Sequence, residues 1–101
     1  MTEWFDQHCH LDLDELALEE AVDEARSAGV VGMIDVGCDV DGSRRAIERA
    51  RRFPGVYATA GVHPHDADGG IDGLDDLCRT GDVVAVGECG LDYHYLRSSE
   101  V

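Results

Sequence analysis

The chain has 101 residues, with 22 acidic side chains against 8 basic ones and a formal net charge of −14. That length accommodates one small domain, and a hydrophobic share of 44% excludes wholesale disorder. The charge argues against passive coating of DNA or RNA, and no apolar run approaches the roughly 20 residues of a membrane-spanning helix.

The first apolar, β-rich run is Trp4-Phe5-Asp6-Gln7-His8. A helical pattern over residues 15–28 follows, placing Leu16, Ala17, Ala21, Val22, Ala25 and Ala28 on one face. Asp12 and Glu15 read as its capping box and Gly29 as its stop. The second run is Val30–Val36. Residues 42–53 predict a second helix, with Ala46, Ile47, Ala50 and Phe53 apolar, Asp41 as cap and Pro54 as terminator. The third run is Val56–Val62, and residues 71–80, closed by Gly81, predict a shorter helix. The fourth run is Val83–Gly87. Runs two and four are apolar almost throughout, as parallel strands covered on both faces are. The strand starts recur every 26 or 27 residues, and a strand–helix repeat at that spacing specifies a parallel α/β fold.

All eight basic residues are Arg. A dense carboxylate surface without Lys fits a protein adapted to high salt, where self-repulsion is screened. The alternative is the Arg preference of a GC-rich genome. Cys9, Cys38, Cys78 and Cys89 form no C-x-x-C pair. The first residues show neither a basic nor an apolar leader segment, so reduced thiols and a cytoplasmic location are expected.

Residues with chemical potential cluster just after the strands. His8 and His10 follow run one, His63 and His65 follow run three, and Glu88 and Asp92 follow run four. In a (β/α) barrel the active site is assembled there. Alternate residues of a strand share a face, so His8 and His10 can converge on one metal ion, or simply meet water. Cys9 between them points to the other face and reads as packing. Pro64 gives His63 and His65 a rigid bend, suited to a phosphate contact or to two exposed imidazoles on a turn. Glu88 closes an apolar strand, where a carboxylate is costly unless paired or bound to a cation; Arg97 is a candidate partner. Asp92 is placed to orient a ligand. Cys89 reads as packing, Asp72, Asp75 and Asp76 as a solvated helix face, and Asp35 as either a barrel-interior group or a salt-bridged one.

Three motifs together resemble the TatD-type metal-dependent deoxyribonucleases: Phe5-Asp6-Gln7-His8-Cys9-His10-Leu11-Asp12, Ala60-Gly61-Val62-His63-Pro64-His65 and Val86-Gly87-Glu88-Cys89-Gly90-Leu91-Asp92-Tyr93. The resemblance implies the N-terminal half of a (β/α)8 TIM barrel, about four parallel strands with three intervening helices. It implies one or two divalent metal ions (Zn, Mn or Mg), with His8 and His10 as ligands and Glu88 as a bridging, catalytic ligand. His63, His65 and Asp92 would serve the substrate, a DNA or other phosphodiester cleaved by metal-activated water. Family members run to roughly 250 residues, and further ligands, two histidines and an aspartate, belong to the second half. The chain therefore reads as a fragment that is not expected to complete a two-metal site alone, with self-association of half-barrels a possible outcome. Two alternatives stand beside the nuclease: a non-catalytic metal-binding fragment, and another amidohydrolase-type ester or amide hydrolase.

Overall fold

The computed structural model describes residues 2–93. Strands β1 (Trp4–Cys9), β2 (Val30–Val36), β3 (Val56–Ala60) and β4 (Val83–Val86) form one sheet in the order β1-β2-β3-β4. All three pairings are parallel. Helices α1 (Glu15–Ser27), α2 (Val40–Arg52) and α3 (Leu74–Cys78) lie in the successive crossovers, with a 3-10 segment, Pro64–Gly69, ahead of α3. Sequential parallel neighbours joined by helices are the repeat of a (β/α)8 wall, and this sheet is the N-terminal half of one.

The helices cover one face of the sheet. Leu11, Leu18, Val22, Met33 and Val56 form one buried cluster there, flanked by Cys9, Ala25 and Phe53. Ala46, Ile47 and Ala58 form a second, with Leu77 and Val83 against it. The opposite face is open among the described residues. Phe5 and Tyr57 stack on it, with centroids 6.1 Å apart, and the Phe5 ring lies where a Cβ on Gly32 would fall. Val84 and Val86 are exposed as well, so run four is not covered on both faces. On the helix side the five-residue α3 contacts β4, and Val83 packs against the cluster of Ala46, Ile47 and Ala58.

Element boundaries depart from the sequence expectations for identifiable reasons. Asp14, not Asp12, caps α1, accepting from the Ala17 N–H at 3.0 Å. Asp12 is engaged elsewhere, by Arg45 and Arg49. The buried stripe of α1 runs through Leu18 and Val22, whereas Leu16 is 69% exposed. The run Leu16-Ala17-Leu18 allows either helical phase, and the phase adopted puts Leu18, Val22 and Ala25 toward the sheet. Helix α2 starts at Val40 because Asp39 caps it through the Gly42 N–H; Asp41 instead pairs with Arg44 at 2.7 Å. Helix α3 is shorter than the predicted 71–80. Gly73, in the left-handed region at φ +90°, breaks the pattern ahead of it, and no side chain caps the new start. Strand β3 ends at Ala60 rather than Val62, since the Ser43 hydroxyl takes over both polar groups of Gly61. It accepts from the Gly61 N–H at 3.1 Å and donates to its carbonyl at 3.2 Å.

Asp35 is fully buried and pairs with Arg49 of α2, Nε to Oδ2 2.5 Å. It therefore belongs to the helix-facing side and not to a barrel interior. Asp72, Asp75 and Asp76 are exposed, as a solvated face requires.

Candidate metal centre

The ends of β1 and β4 come together. Four strands at about 4.8 Å spacing would set the outer two about 14 Å apart in a flat sheet. Curvature and two reaching side chains close that gap, bringing His8 Nε2 to 3.3 Å from Glu88 Oε1. His8, His10 and Glu88 each present one ligand atom, and these atoms all lie within 4.8 Å of one another. The two imidazoles meet edge to face, 5.0 Å between centroids.

The local backbone explains each placement. The His8 N–H donates to Asp6 Oδ1 at 3.0 Å, fixing the last turn of β1. The His10 ring sits 3.1 Å from the Val36 carbonyl through Nδ1. A carbonyl only accepts, so Nδ1 carries the proton and Nε2 keeps its lone pair for a ligand. Glu88 adopts φ +44°, the only non-glycine residue at positive φ among the described residues. Such a conformation persists where surrounding structure imposes it, typically at functional sites. Its side chain is 15% exposed. Gly61 lets β3 and β4 approach here: a Cβ on Gly61 would fall 1.5 Å from the Gly87 carbonyl oxygen.

His63 reaches Glu88 from the other side, Nε2 to Oε2 3.7 Å. Its Nδ1 accepts the His65 N–H at 3.1 Å, which leaves the proton of the neutral ring on Nε2, toward Glu88. His65 Nε2 lies 2.6 Å from Asp92 Oδ2, and the His63 and His65 rings are 4.3 Å apart. Glu88 thus stands between two histidine pairs, one from β1 and one from the β3 loop. His63, His65 and Asp92 adjoin the three-ligand group without belonging to it.

The donor set fits a divalent cation. Two neutral imidazoles and one carboxylate are common ligands of Zn²⁺ and Mn²⁺. A cation would also offset the cost of holding the Glu88 carboxylate at a largely buried position.

Cys9 faces the core as expected: its thiol donates to the Ile34 carbonyl at 3.3 Å, and burial pushes its pKa up to about 11. Cys89, expected to pack, is exposed, because it follows the strained Glu88 out of the sheet. Arg97 lies outside the described residues, and the partners that Glu88 shows are histidines. One feature escaped the sequence reading, and another was left open by it. Cys38 Sγ lies 3.7 Å from His10 Nδ1, its thiol pKa raised by partial burial and then by Glu88. Asp35 and Arg49 pack directly behind the β1–α1 loop; the signal for them was a lone carboxylate inside an apolar strand.

The family model for TatD related DNase matches residues 5–101. The 3'-5' ssDNA/RNA exonuclease TatD of Salmonella typhimurium is 41% identical over 80 residues, covering 75% of this chain and 31% of the relative. That of Cronobacter turicensis is 45% identical over 80 residues, covering 75% and 30%. The crystal structure of YjjV, a TatD homologue from Escherichia coli K12, superposes with a TM-score of 0.73 at 30% identity, covering 89% of this chain and 38% of that one. The chain thus spans about a third of the length of the proteins it matches.

Proposed function

Because the chain belongs to the TatD related DNase family, we propose that His8, His10 and Glu88 hold a divalent cation for hydrolysis of a nucleic-acid phosphodiester. The observation that carries this reading is the convergence of their three ligand atoms within 4.8 Å at the C-terminal ends of β1 and β4. When bound, the cation supplies an activated water and neutralises charge on the phosphoryl oxygens.

The side chains divide the remaining work. His8 and His10 offer neutral nitrogen lone pairs, the second fixed in its tautomer by the Val36 carbonyl. Glu88 offers two oxygens on opposite flanks, one toward His8 and one toward His63, so it would hold the cation together with His8 and His10 while keeping its contact with His63. His63 presents its Nε2 proton beside that carboxylate, in position to donate to a phosphate oxygen. Asp92 holds the His65 ring by its Nε2, keeping the second imidazole oriented in the substrate loop. Nitrogen donors favour Zn²⁺ or Mn²⁺ over Mg²⁺. The relatives are named as exonucleases of single-stranded DNA and RNA, and single-stranded nucleic acid is the substrate we propose. With a net charge of −14, attraction for a polyanion has to come from the cation and histidines rather than the general surface.

A second reading is favoured by the share of the relatives that the chain spans, 31% of the Salmonella protein: a cation-binding unit that does not turn over by itself. Titration with Mn²⁺, followed by incubation with 5'-labelled single-stranded DNA, separates the two. Binding abolished by His8→Ala together with shortening of the label-bearing strand supports the nuclease. Binding without cleavage of DNA or RNA leaves the cation-binding unit. Failure of the unaltered chain to bind the cation overturns both.

A further inference from the structure

We infer that the buried Asp35–Arg49 pair is a positioning device for the cation ligands on β1, acting through the segment His10-Leu11-Asp12. This rests on the reading of His8, His10 and Glu88 as a cation site.

Each residue of that segment is tied to the same region of β2 and α2. The His10 ring is held by the carbonyl of Val36. The Leu11 N–H donates to Asp35 Oδ1 at 3.1 Å. Asp12 accepts from Arg49 at 3.2 Å and from the Arg45 fork at 2.8 Å. The second oxygen of Asp35 accepts from Arg49 Nε at 2.5 Å. One guanidinium therefore joins the carboxylate behind the loop to the carboxylate at its end. Asp35 is fully buried and Arg49 is 8% exposed.

The arrangement is more specific than packing alone requires. An apolar pair would fill the space between β2 and α2 at less desolvation cost. It would not supply an acceptor for the Leu11 N–H, and it would leave the register of His10 against Val36 unfixed. A loop that slides by a fraction of a residue turns the His10 ring away from its carbonyl, freeing it to take the other tautomer. Partners behind a metal-binding histidine commonly change affinity by about 10–100-fold.

The test is titration of Co²⁺ into the whole chain, with a long-range ¹H–¹⁵N spectrum of the cation-free histidines as a second readout. Arg49→Met is expected to weaken Co²⁺ binding by about 10–100-fold and to remove the fixed Nδ1–H form of His10. Arg49→Lys, which keeps the charge but not the fork, is expected to recover part of both. Ile47→Ala, a core truncation in the same helix, is expected to lower stability and change neither. Should Arg49→Met fail to fold, Asp12→Asn at the half-exposed end of the network is expected to give a smaller loss of the same sign. Equal Co²⁺ affinity in the unaltered and Arg49→Met chains overturns the inference, as does an equal loss in Ile47→Ala. No Co²⁺ binding by the unaltered chain overturns instead the cation-site reading beneath it.

Discussion

Glu88 combines an unfavourable backbone conformation with a carboxylate held largely out of water. Its φ of +44° is a conformation that costs an L-residue with a side chain about 1–2 kcal/mol. Its carboxylate is largely withdrawn from water and faces two histidines. Nothing in the packing of the helix-covered core calls for a carboxylate there; the buried clusters form without it. Glu88→Gly removes both the strain and the desolvated charge, while the flexible glycine adds some unfolded-state entropy. The variant is therefore expected to unfold at the same urea concentration as the unaltered chain or higher, by up to about 1 kcal/mol, and to lose its Mn²⁺ binding. A clear drop in the urea midpoint would show that the histidine contacts of Glu88 support the fold rather than a ligand. The position of this residue was legible in the sequence because a carboxylate between glycines at the end of an apolar run has few structural uses. The tautomers of His10 and His63 were not, since they depend on a carbonyl from β2 and on the turn at Pro64.

At the scale of elements, the strand–helix rhythm fixed the order and the parallel pairing, and the details lost were those set by distant partners. Asp12 looked like a cap because it stands three residues ahead of Glu15. Its carboxylate is drawn instead to Arg45 and Arg49, residues 33 and 37 positions away, and Asp14 caps the helix. Leu16 looked buried because three consecutive apolar residues hide the phase of a helix. Helix α3 looked longer because periodicity does not register how strongly Gly73 breaks it. The Asp12 network carries a pH signature of definite sign. The hydrogen bond from Arg45 holds the Asp12 carboxyl below its ordinary range, against a partial opposing effect of burial. A carboxyl depressed in the folded state contributes stability above its unfolded pKa of about 3.9, and that contribution is lost as pH falls through the lower folded value. Asp12→Asn should thus unfold at a lower urea concentration than the unaltered chain at pH 6, and the gap should begin to close below about pH 4. With the Asp12 side chain 50% exposed, solvent screening keeps the difference modest, under about 1 kcal/mol. A gap that widens on acidification would show that another group governs the loop.

For the whole molecule, the decisive quantity is the imbalance of charge. Every described arginine except Arg26 already has a carboxylate partner: Asp41, Asp12, Asp35, Asp82, Glu15, Glu19 or Asp75. Arg26 donates to the Pro54 carbonyl. With 22 acidic residues against 8 arginines, carboxylates outnumber arginines whatever the pairing, and that surplus is the net charge of −14. The carboxylates are confined to a body with a radius of gyration of 14.4 Å, so many neighbours lie within the Debye length of about 10 Å at 0.1 M salt. Raising salt to 1 M shrinks that length to about 3 Å and weakens both the repulsion and the surface ion pairs. The pairs are mostly exposed, each worth under about 1 kcal/mol, and the buried Asp35–Arg49 pair is screened least. Repulsion is consequently the larger loss, and salt should stabilise. The thermal midpoint, measured with EDTA present to remove divalent cations, is expected to rise steadily from 0.1 to 1 M KCl and equally in NaCl. A midpoint that falls over this range would mean that the arginine pairs hold the surface together more than the surplus carboxylates drive it apart, and the high-salt reading of the composition would go with it.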